Sequence, residues 1–294
     1  VERLVRGGHV ARVLDNFSSG KRENLAAVAS SLEVIPGDVR DAERVELAAT
    51  GCEIVFHEAA IVSVPYSLEH PQETHDVNLQ GTLNVLEAAR KAGAKRVVFA
   101  SSAAIYGDDP ELPKRETMLP RPISPYGVEK ITGEQYLRVY AAHYGVETVA
   151  LRYFNVFGPR QDPSSPYSGV ISVFVDRAFA GKTLTIFGDG EACRDFVYVE
   201  DIVDANLAAA NQDGVSGQVF NVARGERTTL NELAAMIGRI LGRQIRPEHG
   251  APRAGDIVQS VADVTHARRR LGYEPKVAVE EGLARLVAWK REAQ

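Results

Sequence analysis

Residues 9–16 read His9-Val10-Ala11-Arg12-Val13-Leu14-Asp15-Asn16, a short apolar run that stops on an acid and an amide. A run of this length, closed by turn-forming residues, spells a largely buried strand. Outward from it the same rhythm recurs. Strands are expected at 9–14, 32–35, 54–57, 96–100 and 148–153, with helical periodicity between them at 41–49, 78–91 and 126–144. Val- and Ile-rich strands alternating with helices predict a parallel sheet covered on both faces, the doubly wound α/β architecture.

The acid at the strand end narrows the choice. In dinucleotide-binding sheets an acid ending the second strand takes the adenosine ribose hydroxyls, and a glycine-rich loop stands about 20 residues earlier. Counting back from Asp15 runs off the start of the chain, and Glu2–Arg6 closing on Gly7-Gly8 reads as the tail of the helix that follows such a loop. The expectation is therefore a Rossmann sheet lacking its first strand and glycine-rich loop. Asp38, in Gly37-Asp38-Val39, suits the adenine amino group, and Ala59-Ala60 are small enough to let backbone approach a cofactor. Singly, Asp15-Asn16 and Asp38 suit ordinary turns as well. Their placement at successive strand ends argues for a groove.

After residue 157 the rhythm breaks. A Pro/Ser-rich stretch at 158–168 leads to helical periodicity at 170–180, strand patterns at 195–199 and 219–222, and amphipathic helices at 229–241 and 279–290. The expected organisation is a dinucleotide-binding domain over 1–157, with 195–222 returning to it, and a smaller α/β substrate domain over 158–194 and 223–294.

Composition excludes several classes. Of 294 residues 45% are hydrophobic and 25% charged, as in ordinary globular proteins, and a net charge of −5 leaves no basic surplus for a nucleic-acid backbone. No apolar run approaches a membrane span. Two cysteines match no metal spacing and suit a reducing compartment, so a cytoplasmic protein is expected; the seven histidines form no HxxxH pair, so no metal is expected.

The chemistry concentrates in Ser102, at the end of one strand, and in Ser124-Pro125-Tyr126-Gly127-Val128-Glu129-Lys130. Residues four apart share a helix face, which sets the Lys130 ammonium beside the Tyr126 phenol. A tyrosine near its usual pKa of about 10 is a poor base at neutral pH, so Lys130 and a cationic nicotinamide are expected to lower it. Ser102 would hydrogen-bond the reacting hydroxyl. Alone, the Tyr–Lys spacing also suits an exposed helix pair; the Ser-Ser strand end, the Pro-Tyr helix start and the order of elements favour nicotinamide redox chemistry at a hydroxyl.

Taken together, Asp15-Asn16, Gly37-Asp38, Phe99 through Gly107, Ser124 through Lys130, Leu151-Arg152-Tyr153-Phe154-Asn155, Phe187 through Gly190, Arg194-Asp195 and Pro252 through Asp256 resemble the ordered motifs of the UDP-glucose 4-epimerase-like extended short-chain dehydrogenase/reductases. The resemblance covers essentially the whole chain apart from the missing GxxGxxG. It implies a catalytic trio of Ser102, Tyr126 and Lys130, and NAD held by Asp15, Asn16, Asp38, Val39, Ala59, Ala60, Asn78, Ala100, Tyr126, Lys130 and Tyr153. For a UDP-sugar substrate it implies Ser102, Asn155, Val170, Arg194, Arg253, Asp256 and Ser260, with the arginines on the diphosphate, where a planar fork matches the oxygens. Ser260 then stands where relatives restricted to glucose and galactose carry a tyrosine, which leaves room for an N-acetyl group. The implied reaction is transient oxidation at the sugar C4, and the family pattern implies a homodimer.

Relatives set the alternatives. Dehydratases carry an Asp-Glu pair where this chain has Ala103-Ala104, and decarboxylases a glutamate there. The Tyr66-Ser67-Leu68-Glu69 loop has some likeness to UDP-glucuronate 4-epimerases, and a scaffold without catalysis is the reading from another class.

Overall fold

The computed structural model describes residues 1–162, 169–252 and 259–292. Strands β1 (Ala11–Asp15), β2 (Leu32–Pro36), β3 (Ile54–His57), β4 (Arg96–Ser102) and β5 (Glu147–Tyr153) fall within two residues of the expected runs. β1 and β2 pair in parallel, with Ala11 opposite Leu32 and Asp15 opposite Pro36. β3 and β4 also pair in parallel, Ile54 opposite Arg96 and His57 opposite Phe99. They belong to a four-stranded sheet in the order Gln218–Val222, β5, β4, β3. The expected parallel α/β fold is borne out. The helical patterns appear as Ala42–Ala49, Gly81–Ala92 and Pro125–His143.

Packing explains why these runs settle where they do. Val45 and Ala49 of one helix, Val85, Leu86, Ala88 and Ala89 of the next, Val97 and Phe99 of β4, and Leu137 and Tyr140 form one buried cluster. Each fully buried large apolar side chain contributes roughly 1.5–3 kcal/mol. Ala88 and Ala89, almost wholly buried, keep the face of Gly81–Ala92 flat enough for close approach. Asp41 caps Ala42–Ala49 by accepting from the amides of Glu43 and Arg44. Gly93 ends Gly81–Ala92 in the left-handed conformation, φ 67°, which a side chain would strain.

The chain divides into two compact units, and the dividing points differ from the expected ones. The first comprises Val1–Ile105, Pro122–Leu151 and Asn206–Val219; the second comprises Tyr106–Arg121, Arg152–Ala205 and Phe220–Gln294. The pattern at 219–222 does return to the four-stranded sheet, as Gln218–Val222. The pattern at 195–199 does not. Phe196–Tyr198 pairs in parallel with Asn155–Phe157, and Cys193–Arg194 pairs with Thr228–Thr229. The reason is Asp195 between them. Its buried carboxylate accepts from the backbone amides of Arg224, Gly225 and Ala262, which fixes the segment inside the second unit.

Residues 106–121 belong to the second unit for a similar reason. The buried Tyr106 hydroxyl donates to Asn221 Oδ1 at 2.6 Å, and the Lys114 backbone exchanges hydrogen bonds with Val261 and Asp263. Phe157, Ile171, Phe174, Phe196, Tyr198, Leu233 and Leu283 lie in this unit's core. Its helix Leu230–Ile240 starts on a capping box, Thr229 with Glu232.

Candidate active site

After Arg96, β4 is apolar and buried through Ala100, then presents two serines whose side chains alternate. Ser101 donates to the buried Glu134 carboxylate at 2.5 Å. Ser102 Oγ accepts from the Ala104 amide at 3.1 Å and hydrogen-bonds the Tyr126 phenol.

The helix Pro125–His143 brings that phenol in. Ser124 caps it by accepting from the Gly127 amide at 3.2 Å, and Pro125 occupies the first turn, where no amide partner is needed. Two glycines let the helix lie down on the strand end. A Cβ at Gly127 would stand 2.9 Å from the Ala104 carbonyl oxygen and from Pro122, and one at Gly133 would stand 2.9 Å from the Phe99 ring.

Tyr126 is 7% exposed and Lys130 2%. Lys130 Nζ donates to the Ala100 carbonyl at 2.7 Å and sits 5.8 Å from the centre of the Tyr126 ring. Burial lowers the lysine to about 8, against the pull of Glu58, Glu129 and Glu134. Burial also raises the Tyr126 phenol, opposed by the Ser102 hydrogen bond and reinforced by Glu129. The expected lowering by Lys130 is thus not what governs this tyrosine: loss of water is. The structure does bring Ser102, Tyr126 and Lys130 together.

The strand-end acids lie as follows. Asp15 ends β1 and accepts from the Phe17 amide at 2.7 Å; a Cβ at Gly20 would crowd its other oxygen at 2.9 Å, so glycine there keeps the carboxylate open. This suits a ribose-binding acid. Asp38 is more committed than its sequence position suggests. Its oxygens accept from the Arg40 amide and guanidinium and from Asn16 Nδ2, which drives its pKa down, so an adenine amino group would have to compete with Arg40. Val39 packs under Gly81, and Ala59 and Ala60 follow β3 with Ala59 exposed. Asn78 is buried, and its amide is engaged by Ile61 and Glu129. Tyr153 ends β5, half-buried.

In the second unit, Asn155 Nδ2 donates to the Asp195 carbonyl at 3.1 Å, and Val170 opens the helix Val170–Phe179. Arg194 and Ser260, 66 positions apart, stand opposite each other in a parallel pairing. Arg253 and Asp256 lie outside the described residues. The Tyr66–Glu69 stretch, expected as a loop, lies in a helix, Val64–Glu69, begun by a Ser63 cap and a proline in its first turn. Sequence reasoning missed Glu129, Glu134 and His57, all buried beside the trio. Each is a single polar residue in an otherwise ordinary pattern, with no spacing signal to mark it.

Among the described residues no group of three or more metal-ligating side chains occurs, and no helix is long and apolar enough to cross a membrane.

Known proteins resemble this chain along nearly its whole length. The model of the NAD dependent epimerase/dehydratase family matches residues 1–223. The UDP-glucose 4-epimerase of Mycolicibacterium smegmatis is 41% identical over 295 residues, covering 99% of this chain and 94% of that protein. Two solved structures superpose closely. The UDP-glucose 4-epimerase of Thermotoga maritima, solved with UDP-glucose, gives a TM-score of 0.94 at 40% identity, covering 99% of this chain and 94% of the other. The UDP-N-acetylglucosamine 4-epimerase of Methanobrevibacter ruminantium, solved with UDP-N-acetylmuramic acid, gives 0.93 at 38%, covering 97% and 92%.

Proposed function

The chain belongs to the NAD dependent epimerase/dehydratase family, and on that footing we propose that it is a UDP-sugar 4-epimerase interconverting UDP-glucose and UDP-galactose. The observation that carries the reading is the cluster of half-buried Ser102 with buried Tyr126 and Lys130, with alanines at 103 and 104 where an acid would be needed to eliminate water. NAD, when bound, supplies a reversible hydride acceptor. Asp15 holds its adenosine ribose, and Ala59 and Ala60 leave space for it. Tyr126, once it has given up its own proton, takes the proton from the sugar 4-hydroxyl; Ser102 orients that hydroxyl, and Lys130 offsets the phenolate charge that precedes the transfer. The 4-keto sugar turns within the site and is reduced on its other face, Tyr126 returning the proton.

The first unit carries the cofactor residues apart from Tyr153, which lies in the second. In the second, Asn155, Val170, Arg194 and Ser260, with Arg253 and Asp256, hold the UDP-sugar. Ser260-Val261-Ala262 brings no bulky side chain beside Arg194, which supports turnover of the N-acetylated pair as well. Val128, Tyr136 and Val139 leave an exposed apolar stripe along Pro125–His143, which supports a homodimer through that helix. Unbridged cysteines at 52 and 193 fit a cytoplasmic setting.

The test is incubation of the NAD-loaded protein with UDP-glucose, with product followed by proton NMR. UDP-galactose should accumulate to a constant ratio from either side. A cofactor-loaded protein that leaves every UDP-hexose unchanged would sink the reading.

A further inference from the structure

Glu129 is a buried carboxylate for which the proposed chemistry has no use. It lies three residues after Tyr126 and next to Lys130, and only 3% of it is exposed. Its Oε2 accepts from Asn78 Nδ2 at 2.7 Å, and its Oε1 accepts from the Thr74 hydroxyl at 2.8 Å. Asn78 also brackets Ile61, accepting from its amide at 2.8 Å and donating to its carbonyl at 3.0 Å. One chain of hydrogen bonds therefore runs from the helix of Tyr126 to the backbone immediately after Ala59-Ala60.

The surroundings are built to match. Asn78 sits in a π-helical turn, Asp76–Gln80, a widened turn that occurs preferentially at functional sites. Thr82 donates its one hydroxyl proton to the Asn78 carbonyl at 2.6 Å, so its 2.9 Å contact with His57 requires the proton on His57 Nε2. His57 is held neutral, its pKa lowered to about 3 by burial and then by Lys130.

A buried carboxylate held by two neutral donors is an expensive way to join a helix to a loop, because desolvating the charge costs several kcal/mol. Its location gives it something to do. The charged and titratable groups around Tyr126 and Lys130 are Glu58 and His57 from the β3 side, and Glu129 and Glu134 from the helix itself. Of the acids, Glu129 alone acts on both members of the pair, favouring the lysine ammonium and opposing the tyrosine phenolate.

We propose that Glu129 is a positioning residue that ties the helix of Tyr126 and Lys130 to the cofactor-side loop through Asn78, acting by its two hydrogen bonds and by its charge. This rests on the reading of Tyr126 and Lys130 as the proton-transfer pair.

Two variants separate geometry from charge. Glu129→Gln can keep both hydrogen bonds: its oxygen accepts from Asn78, and its amide donates to Thr74, whose own proton has the Pro71 carbonyl at 3.2 Å. Only the charge is lost. Glu129→Ala removes the link. Both are studied in the full-length protein with NAD bound.

Ultraviolet titration of the Tyr126 phenol, taken as the difference from Tyr126→Phe, should move about one pH unit lower in Glu129→Gln. Hydrogen exchange at Ile61 should match wild type in Glu129→Gln and quicken about tenfold in Glu129→Ala. Where Glu129→Ala does not fold, Asn78→Ala puts the same exchange question from the other end. An unmoved phenol titration in Glu129→Gln, or Ile61 exchange unmoved by breaking the link, overturns the proposal. Neither readout requires turnover, so a wild-type protein inactive on UDP-sugars would fail the functional reading without deciding this one.

Discussion

At the scale of single residues, one physical cause acts on Tyr126 and Lys130 in opposite senses. Burial disfavours whichever form is charged, so it raises the phenol and lowers the ammonium to about 8. At neutral pH the phenol therefore keeps its proton and the lysine remains charged, and the proton is released only with help from neighbouring positive charge. In the proposed mechanism Lys130 supplies that charge while protonated, which holds below about pH 8 and is lost above it. Turnover should accordingly fall along an alkaline limb near pH 8, as a steady-state pH profile would show; a rate still climbing well past that point would remove Lys130 from the role. Tyr126→Phe should lower turnover by about 10²–10⁴ while bound NAD, counted from absorbance, stays at the wild-type ratio. The four-residue spacing is enough to put both groups on one helix face. That burial governs the phenol depends on the tight seat of this helix on β4, which spacing does not report.

At the scale of elements, that seat depends on Gly127 and Gly133. Phe99 is fully buried and has nowhere to move, and the Ala104 carbonyl is backbone, so neither obstacle gives way cheaply to an added methyl. Gly127→Ala should cost about 1–3 kcal/mol in urea unfolding and lower turnover out of proportion, because it lifts Tyr126 from Ser102. A loss of stability with unchanged turnover would show that the helix start is not what positions the phenol. The long elements are legible because periodicity repeats: the sequence bounds β3 to the residue, and the other four strands of the first unit to within two. The short ones are not. Val64–Glu69 and Pro71–His75 each begin at or next to a proline and are too brief for a periodic signal, and two-residue strands such as Cys193–Arg194 and Gln259–Ser260 exist only through their partners. Much of the proposed sugar-side site is assembled from such pieces. The pairing of Arg194 with Ser260 is therefore invisible in the sequence, although each residue belongs to a recognisable motif, and so is the hold of Asp195 on its segment.

At the scale of the whole chain, the first unit must gather segments separated by more than a hundred residues, and Arg96 does this with one side chain. It is fully buried at the start of β4, where an arginine in an apolar run reads as an interruption. Its Nη1 donates to the carbonyls of Ala209, Ala210 and Gln212 at 2.8–2.9 Å, satisfying the carboxyl end of the helix Val199–Asn211, where the last carbonyls have no partner within the helix. Its Nε donates to Glu147 of β5 at 2.9 Å. Two contributions can be told apart. The Glu147 side chain is 38% exposed, so water screens the ion pair and limits its worth. The Ala209 and Ala210 contacts are buried, the Gln212 one only partly, and a buried acceptor left without a donor costs about 1–3 kcal/mol. Arg96→Leu should therefore destabilise by roughly 3–5 kcal/mol, a large share of the 5–15 kcal/mol that holds a typical domain together. Glu147→Gln keeps every carbonyl contact and should cost roughly 1 kcal/mol. Urea unfolding of the two variants gives the ranking directly. If Glu147→Gln proves as damaging as Arg96→Leu, the ion pair and not the helix end is what Arg96 secures.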